Sequence, residues 1–318
     1  MRETGSARRP ISRSRMLVSR LVCCVAAGFL VVFVATPVIP GPPGLVLASL
    51  RPWSLAVALV LLAMAGAART RTAFVAGGCV TLLWVSAYLP ALVPEGDDVD
   101  PSCDTFSVLS QNVATSAAAA GATAAAARQE GADIVAMQEL DGSSRAAAAE
   151  ALREEYGDYM GVGTVGFWSR HPVRAVQALD LGLGWDRAIS AEVDTPAGTI
   201  GLYVVHVASV RLGNQAQRDR MLAELARTVS QSPHERILIV GDFNAGSDDR
   251  SLAALKAEFS EPNQASGGFG FTWPATFPAI RLDHVFQRGL DVASSTVLAR
   301  NESDHLPNLV TLRSSCSG

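Results

Sequence analysis

A membrane region of three helices followed by an α/β sandwich is the fold class that this 318-residue sequence predicts, and three patterns predict it. Residues 16–94 are almost wholly apolar and divide into three lengths, each close to the ~20 apolar residues that cross a bilayer. From residue 95 onward the composition becomes that of an ordinary globular domain, large enough to bury a substantial core. Eight short β-like runs recur there with only a few helix-like stretches between them, a pattern best satisfied by two packed sheets with helices outside.

The first predicted span covers residues 16–37, the second 44–68 and the third 72–93, after a basic leader, 1–15. Arg51-Pro52 interrupts the second. A lone apolar run near an N-terminus reads as a cleaved signal peptide, but here two more follow it. Arginine-rich loops stay on the cytoplasmic side of a membrane. Arg2, Arg8, Arg9, Arg13 and Arg15 precede the first span, and Arg69 and Arg71 separate the second from the third. The expected arrangement is therefore a multi-pass protein of the cell membrane with its N-terminus inside and residue 95 onward outside; Arg51 alone opposes it.

An acidic, Gly- and Pro-containing linker, 95–103, leads into a domain at 104–318. Strands are expected at "TFSVLSQNV" (105–113), "ADIVAMQEL" (132–140), "VGFWSR" (165–170), "AISAEVDT" (188–195), "TIGLYVVHV" (199–207), "RILIVGDFN" (236–244), "LDHVFQ" (282–287) and "LPNLVTLR" (306–313). An Ala-rich segment, 116–130, suits a tightly packed helix. A second helix is expected over 214–232, where Met221, Leu222, Leu225 and Val229 fall at helical spacing. After Val93 the chain carries 17 basic against 29 acidic side chains, a net charge near −12. So acidic a domain is a poor collector of polyanions, which disfavours nucleic acid as a partner.

Polar groups terminate these strands. Asn112 ends the first, Glu139 the second, His206 the fifth, Asp242 and Asn244 the sixth, while Asp283 and Asp304-His305 flank the last two. Carboxylates and an amide oxygen are hard ligands suited to Mg²⁺, with Mn²⁺ as an alternative, and no Cys/His spacing typical of zinc occurs. Attack by water on a phosphoryl group needs such a set. A metal neutralises developing charge, an Asp or His takes the water's proton, and Asn and His donors hold phosphate oxygens.

"SQNV", "DIVAMQE", "GFWSRHP", "VVHV", "GDFNA", "LDHVF" and "SDHLP" follow one another in this order over about residues 104–313. The sequence thereby resembles the endonuclease/exonuclease/phosphatase superfamily, whose DNase I-like fold is a four-layer α/β sandwich. Position by position, the resemblance implies that Glu139, Asn112 and Asp304 surround the metal and that Asp242 and His305 activate the water, with the base role undivided between them. It further implies that Asp283 orients His305 and that Asn244 and His206 contact the phosphate. The family's tyrosine has no match, since Tyr156 and Tyr159 come too early. The membrane-anchored outline, with "VVHVASVRLG" and "GFGFTWPATFPAIRLDHV", is similar to the actinobacterial teicoplanin-resistance (VanJ-like) branch. That likeness implies a phosphohydrolase tethered to the outer face of the membrane, acting on a phosphorylated or pyrophosphorylated lipid such as undecaprenyl pyrophosphate, with a link to glycopeptide resistance. A phosphodiesterase, cleaving phospholipid head groups or extracellular nucleic acid, is the alternative; a non-catalytic membrane protein binding a lipid or a partner is the third reading.

Arg187 and Arg211 read either as surface arginines or as phosphate ligands. The aromatic run Phe269, Phe271, Trp273 and Phe277 reads as a plug of the sandwich or as a lipid-facing rim. Asp-His occurs twice, at 283–284 and 304–305; alternation along a strand turns His284 away from the face Asp283 serves and gives it no role. In the implied fold the first and last strands pair antiparallel, which carries Cys103 and Cys316 to the rim opposite the site. A disulfide between them is expected if the domain lies outside.

Overall fold

In a computed structural model, residues 11–95, 104–157, 159–210 and 215–314 are described. The chain divides into two compact units, Met1–Pro90 and Ala91–Gly318, close to the change of composition at 94.

The first unit contains α1 (Arg13–Ala35), α2 (Gly41–Leu50) and α3 (Leu55–Ala68), and α4 (Arg71–Leu92) begins in it. Among the described residues two lengths are long and apolar enough to cross a membrane, Arg13–Val38 and Arg71–Leu92. Over the second predicted span lies a bent pair, Gly41–Leu50 and Pro52–Ala68, meeting at 57°, which makes a third crossing if the pair is one span. Pro52 brings no N–H to the break and disfavours continuous helix at Arg51. Its carbonyl accepts from Trp84 Nε1 at 2.9 Å. Val22, Ala26, Ala58, Leu61, Ala65, Ala73 and Val80 are buried together, and small side chains of this kind let helices approach closely.

The second unit is built from β1 (Thr105–Asn112), α5 (Ala117–Gln129), β2 (Ile134–Gln138), α6 (Gly142–Leu152), β3 (Met160–Val162), β4 (Val165–Ser169), β5 (Val173–Leu179), β6 (Ala188–Thr195), β7 (Gly198–His206), α7 (Gln215–Ser230), β8 (Ile237–Asp242), α8 (Ala253–Glu258), β9 (Asp283–Arg288), β10 (Asp291–Val297) and β11 (Asn308–Arg313). They form two sheets, ordered β10-β11-β1-β2-β4-β3 and β5-β6-β7-β8-β9. β1 runs parallel to β2 and antiparallel to β11, with Thr105 opposite Arg313, which is the predicted pairing of first and last strands.

Alternation along each strand sorts side chains into layers. Phe106, Val108, Ile134 and Phe167 of one sheet meet Ile189, Leu202, Val204, Leu238 and Val240 of the other. Their neighbours Leu109, Val135 and Met137 point outward beneath Ala119, Ala120, Ala124, Ala127 and Ala148 of α5 and α6. On the far side Val205, Ile237 and Ile239 lie beneath Met221, Leu222, Leu225 and Val229 of α7. The result is helix, sheet, sheet, helix. All eight predicted strands and both predicted helices of this unit are present; β3, β5, β10, α6 and α8 are additional. The three additional strands are sheet edges. β3 has three residues, and β5 and β10 carry register shifts, so none presents a clean alternation.

Candidate active site

The ends of β1, β2, β7 and β8 and the start of β9 meet at one rim, because parallel β7 and β8 deliver His206 beside Asp242 and antiparallel β9 returns Asp283 to Asp242's other side. Gly241 makes the strand spacing possible. Its φ is +138°, and a Cβ there would lie 2.0 Å from the Val205 carbonyl oxygen.

Asn112 is the buried hub. Its Nδ2 donates to Asp242 Oδ2 at 2.9 Å and to Glu139 Oε1 at 3.1 Å, and its Oδ1 accepts the Ala114 N–H at 2.9 Å. The two carboxylates are thus tied to one amide. Glu139 ends β2 with φ +55°, a left-handed backbone that costs a non-glycine residue about 1–2 kcal/mol and aims its half-buried carboxylate at His206. His206 Nε2 lies 3.5 Å from Glu139 Oε1 and 3.8 Å from Asp242 Oδ2. Arg187 Nη2 lies against the same ring, 2.5 and 2.6 Å from its nitrogens. Burial, and then the positive Arg187 and His305, hold the His206 pKa well below its usual value, so the ring is neutral at pH 7.

Asp242 is pushed up to about 7, first by burial and then by the nearby Asp283 carboxylate. It accepts from the Asn244 backbone N–H at 2.8 Å and from Asn244 Nδ2 at 3.0 Å. His305 Nδ1 meets Asp283 Oδ2 at 2.7 Å. Burial opposes charge on His305, but Asp283, Asp242 and Asp304 outweigh it and raise the ring to about 10. The loop bearing His305 is fastened to the end of β1: Gln111 Nε2 donates to the His305 carbonyl at 2.7 Å, and Ser303 Oγ donates to the Asn112 carbonyl at 2.6 Å. A cleft of 420 Å³ opens beside Glu139 and His206, walled by Arg187, Trp185, Leu183 and Gln217.

Among the described residues there are two sets of donor atoms, Glu139/His206/Asp242 and Asp242/Asp283/His305, the atoms of each lying within 4.8 Å of one another. Both contain Asp242. Residues 108–305 match the model of the Endonuclease/Exonuclease/phosphatase family. The chain belongs to that family. It is 34% identical to uncharacterized protein YbhP of Escherichia coli (strain K12) over 114 residues, 32% of this chain and 44% of that protein. It is 27% identical to a UPF0294 protein of Vibrio campbellii over 157 residues, 48% of this chain and 54% of that protein. The chain therefore spans about half the length of these curated relatives. Among solved structures, D. rerio TDP2 complexed with single strand DNA product matches with a TM-score of 0.55 at 17% identity, over 65% of this chain and 98% of that one. An endonuclease/exonuclease/phosphatase from Bacteroides vulgatus gives the same TM-score, identity and coverage. At this identity the likeness shows the fold.

Against the family pattern, the structure brings Asn112, Glu139, His206, Asp242, Asn244, Asp283 and His305 together. Two placements differ from expectation. The Asn112 oxygen faces a backbone N–H, and its NH₂ group rather than its oxygen is turned to the carboxylates. The Asp304 carboxylate is exposed and outside both donor sets among the described residues; it bears on the site through His305, and its carbonyl is held by Ala275 N–H at 2.7 Å. Metal-capable donors are centred on Asp242 instead. Arg187 reaches the site and stacks on Trp185 at 5.0 Å. Arg211, Cys103 and Cys316 lie outside the described residues. Sequence reasoning missed Trp185, Leu183 and Gln217, because loop and helix residues reach the cleft with no periodic signature.

Proposed function

We propose that the chain is a divalent-metal-dependent phosphohydrolase held at the outer face of a cytoplasmic membrane, hydrolysing a phosphorylated or pyrophosphorylated lipid. The observation that carries the reading is the pairing of Glu139 and Asp242 on one Asn112 amide, with His206 beside them and a cleft in front. The donor set fits Mg²⁺ or Mn²⁺: its oxygens are hard, and Asp283 Oδ1, buried, has no hydrogen-bond partner among the described residues. Glu139 and Asp242 would hold the ion, with Asn112 and Asp304 as the further ligands the family pattern suggests. A bound divalent ion would supply charge neutralisation on the phosphate oxygens.

The remaining chemistry belongs to the chain. Neutral His206 can donate to a phosphate oxygen, Asn244 Nδ2 can exchange its bond to Asp242 Oδ2 for one to the phosphate, and Arg187, held on Trp185, offers a guanidinium fork to the same group. Asp242 and His305 share the handling of the water's proton, with Asp283 fixing the ring of His305. Arg211 is a further candidate for the phosphate.

The lipid reading rests on the two apolar helices and the bent pair, and on the apolar wall that Leu183, Trp185 and Ala208 give the cleft. A tether confines the site to the surface where such a substrate resides. Undecaprenyl pyrophosphate is the first substrate to try and glycopeptide resistance the first phenotype. The pairing of Thr105 with Arg313 supports a Cys103–Cys316 disulfide, which free-thiol labelling of the mature protein tests directly. A second reading, a phosphodiesterase, is favoured by the breadth of the matched family, which spans nucleases as well as phosphatases. One panel separates them: the full chain in detergent with Mg²⁺ or Mn²⁺ is given lipid pyrophosphates, bis-p-nitrophenyl phosphate and DNA. Phosphate release from the lipids that Asp242→Ala abolishes supports the proposal. Turnover of the diesters alone overturns it in favour of the second.

A further inference from the structure

Behind the rim, the turn that carries Asn244 is gripped by two buried polar side chains. Asn244 has φ +49°, and its Nδ2 divides between the Val207 carbonyl at 2.9 Å and Asp242 Oδ2 at 3.0 Å. Its own carbonyl accepts from Arg218 Nη1 at 3.0 Å. The next carbonyl, Ala245, accepts from His284 Nε2 at 2.7 Å. Successive peptide carbonyls are thus held from α7 and from β9.

Each grip is anchored. Arg218 is fully buried and lies 2.7 Å from Asp249 Oδ2, with Asp219 Oδ1 2.6 Å from its Nη2. His284 Nδ1 meets Glu261 Oε1 at 2.5 Å, and Glu261 is held in turn by Arg281 at 3.0 Å and Lys256 at 3.4 Å. A buried ion pair contributes little net stability over apolar packing of the same volume, so stability alone is a poor reason for Arg218 and Asp249 here. Only a polar donor can fasten a carbonyl, and a left-handed turn held at both of its carbonyls cannot relax away from Asp242.

We infer that Arg218 and His284 are positioning residues, which fix the 244–245 peptides so that the Asn244 amide stays on Asp242 and in reach of a phosphate oxygen. The inference rests on the function proposed above and gives His284 the role that the sequence alone did not.

The test is a double-mutant cycle on the full chain in detergent. Arg218→Lys, His284→Leu and His284→Gln are made alone and with Asn244→Ala. Turnover of the best substrate from the panel, thermal unfolding and deuterium exchange over residues 241–248 are measured for each. A loose catalytic group costs about 100-fold. His284→Leu and Arg218→Lys are expected to lower kcat 10- to 100-fold, on the order of that cost, with KM within about twofold, and Gln, which keeps a donor, to recover part of it. In the Asn244→Ala background the same substitutions should cost less than about twofold, because the group they position is gone. Exchange over 241–248 should accelerate. Equal losses in both backgrounds, or unchanged exchange in the single variants, overturn the inference. If the wild-type chain hydrolyses nothing in the panel, the proposed function fails, and exchange alone still decides whether the two side chains hold the turn.

Discussion

Asn112→Asp changes one atom's worth of volume and reverses the role of the hub. The native NH₂ group donates to Asp242 and Glu139; an aspartate there faces Asp242 with a carboxylate oxygen about 2.9 Å away. At an effective dielectric near 20, two unit charges at that distance repel by about 6 kcal/mol. Glu139, with a third of its side chain exposed, is screened and adds little. Protonation is the escape, and because Asp242 is already pushed up to about 7, holding that carboxyl neutral at pH 8 costs only about 1.4 kcal/mol beyond wild type. The amide's charge-assisted hydrogen bond to Asp242 is lost as well, at about 1.5–3 kcal/mol, so the net loss is about 3–5 kcal/mol. A loss of this size is a large part of a domain's stability and corresponds to a fall of about 6–20 °C in Tm for a unit of some 200 residues. Two conditions should shrink it. Lowering the pH to 5 leaves Asp242 protonated, and millimolar Mg²⁺ or Mn²⁺ neutralises the cluster. Unfolding of the full chain in detergent, followed by tryptophan fluorescence at pH 8 in EDTA and then with metal, gives the three readings. A variant within about 2 °C of wild type in EDTA, or one that metal leaves as unstable as before, would refute both the hub geometry and the metal assignment.

Asp283→Asn should remove the partner that raises His305. A folded pKa of about 10 above an unfolded value near 6.5 contributes stability that is complete below pH 6.5 and lost as pH rises towards 10. Wild-type Tm should therefore decline across that window while the variant's stays flatter, and turnover should fall about 10²–10⁴-fold; a variant as steep as wild type contradicts the pairing. Glu261 is held below the usual carboxylate range, because Arg281, His284 and Lys256 outweigh the effect of burial. Its contribution is present above about pH 4.5 and lost in more acid solution. The Tm gap between wild type and Glu261→Gln should accordingly be widest at pH 6–7 and close on acidification. Gly241→Ala places a Cβ 2.0 Å from the Val205 oxygen at φ +138° and should cost more than about 3 kcal/mol, read as a lost folded fraction or a Tm drop of 10 °C or so; a fully stable Ala variant would mean that β7 and β8 can separate freely.

Much of the site was legible because strands end abruptly. "SQNV", "VVHV" and "GDFNA" change from apolar to polar within two residues, and parallel pairing sends such ends to one rim. The layers followed from alternation, and α5 from its alanines. Edge strands were not legible, because β5 is largely exposed, β10 buries only Ala293 and Ser295, and both carry bulges, so neither shows an apolar inner face. The orientation of Asn112 was hidden too, since it depends on an N–H at Ala114, a residue with φ +49° that no composition rule marks. Arg218 is a different case. It lies four residues before Leu222, seven before Leu225 and eleven before Val229, on the buried face of α7. A helical reading that asked which charges fall in the apolar stripe would have found it.

The same question separates the two Asp-His pairs. At 304–305 the histidine is the buried member and works through Asp283, while the aspartate stays at the exposed rim. At 283–284 both members are buried, but on opposite faces of β9: Asp283 towards His305 and His284 towards Glu261 and the Ala245 carbonyl. One strand end thus reaches the site twice, directly through a carboxylate and indirectly through the turn that its histidine holds. Two adjacent residues with opposite side-chain directions can serve one reaction only if the second face abuts a loop that returns to the first, and residues 242–245 are that loop. Substituting His284 should therefore disturb the same chemistry as substituting Asn244, although its ring never faces the cleft.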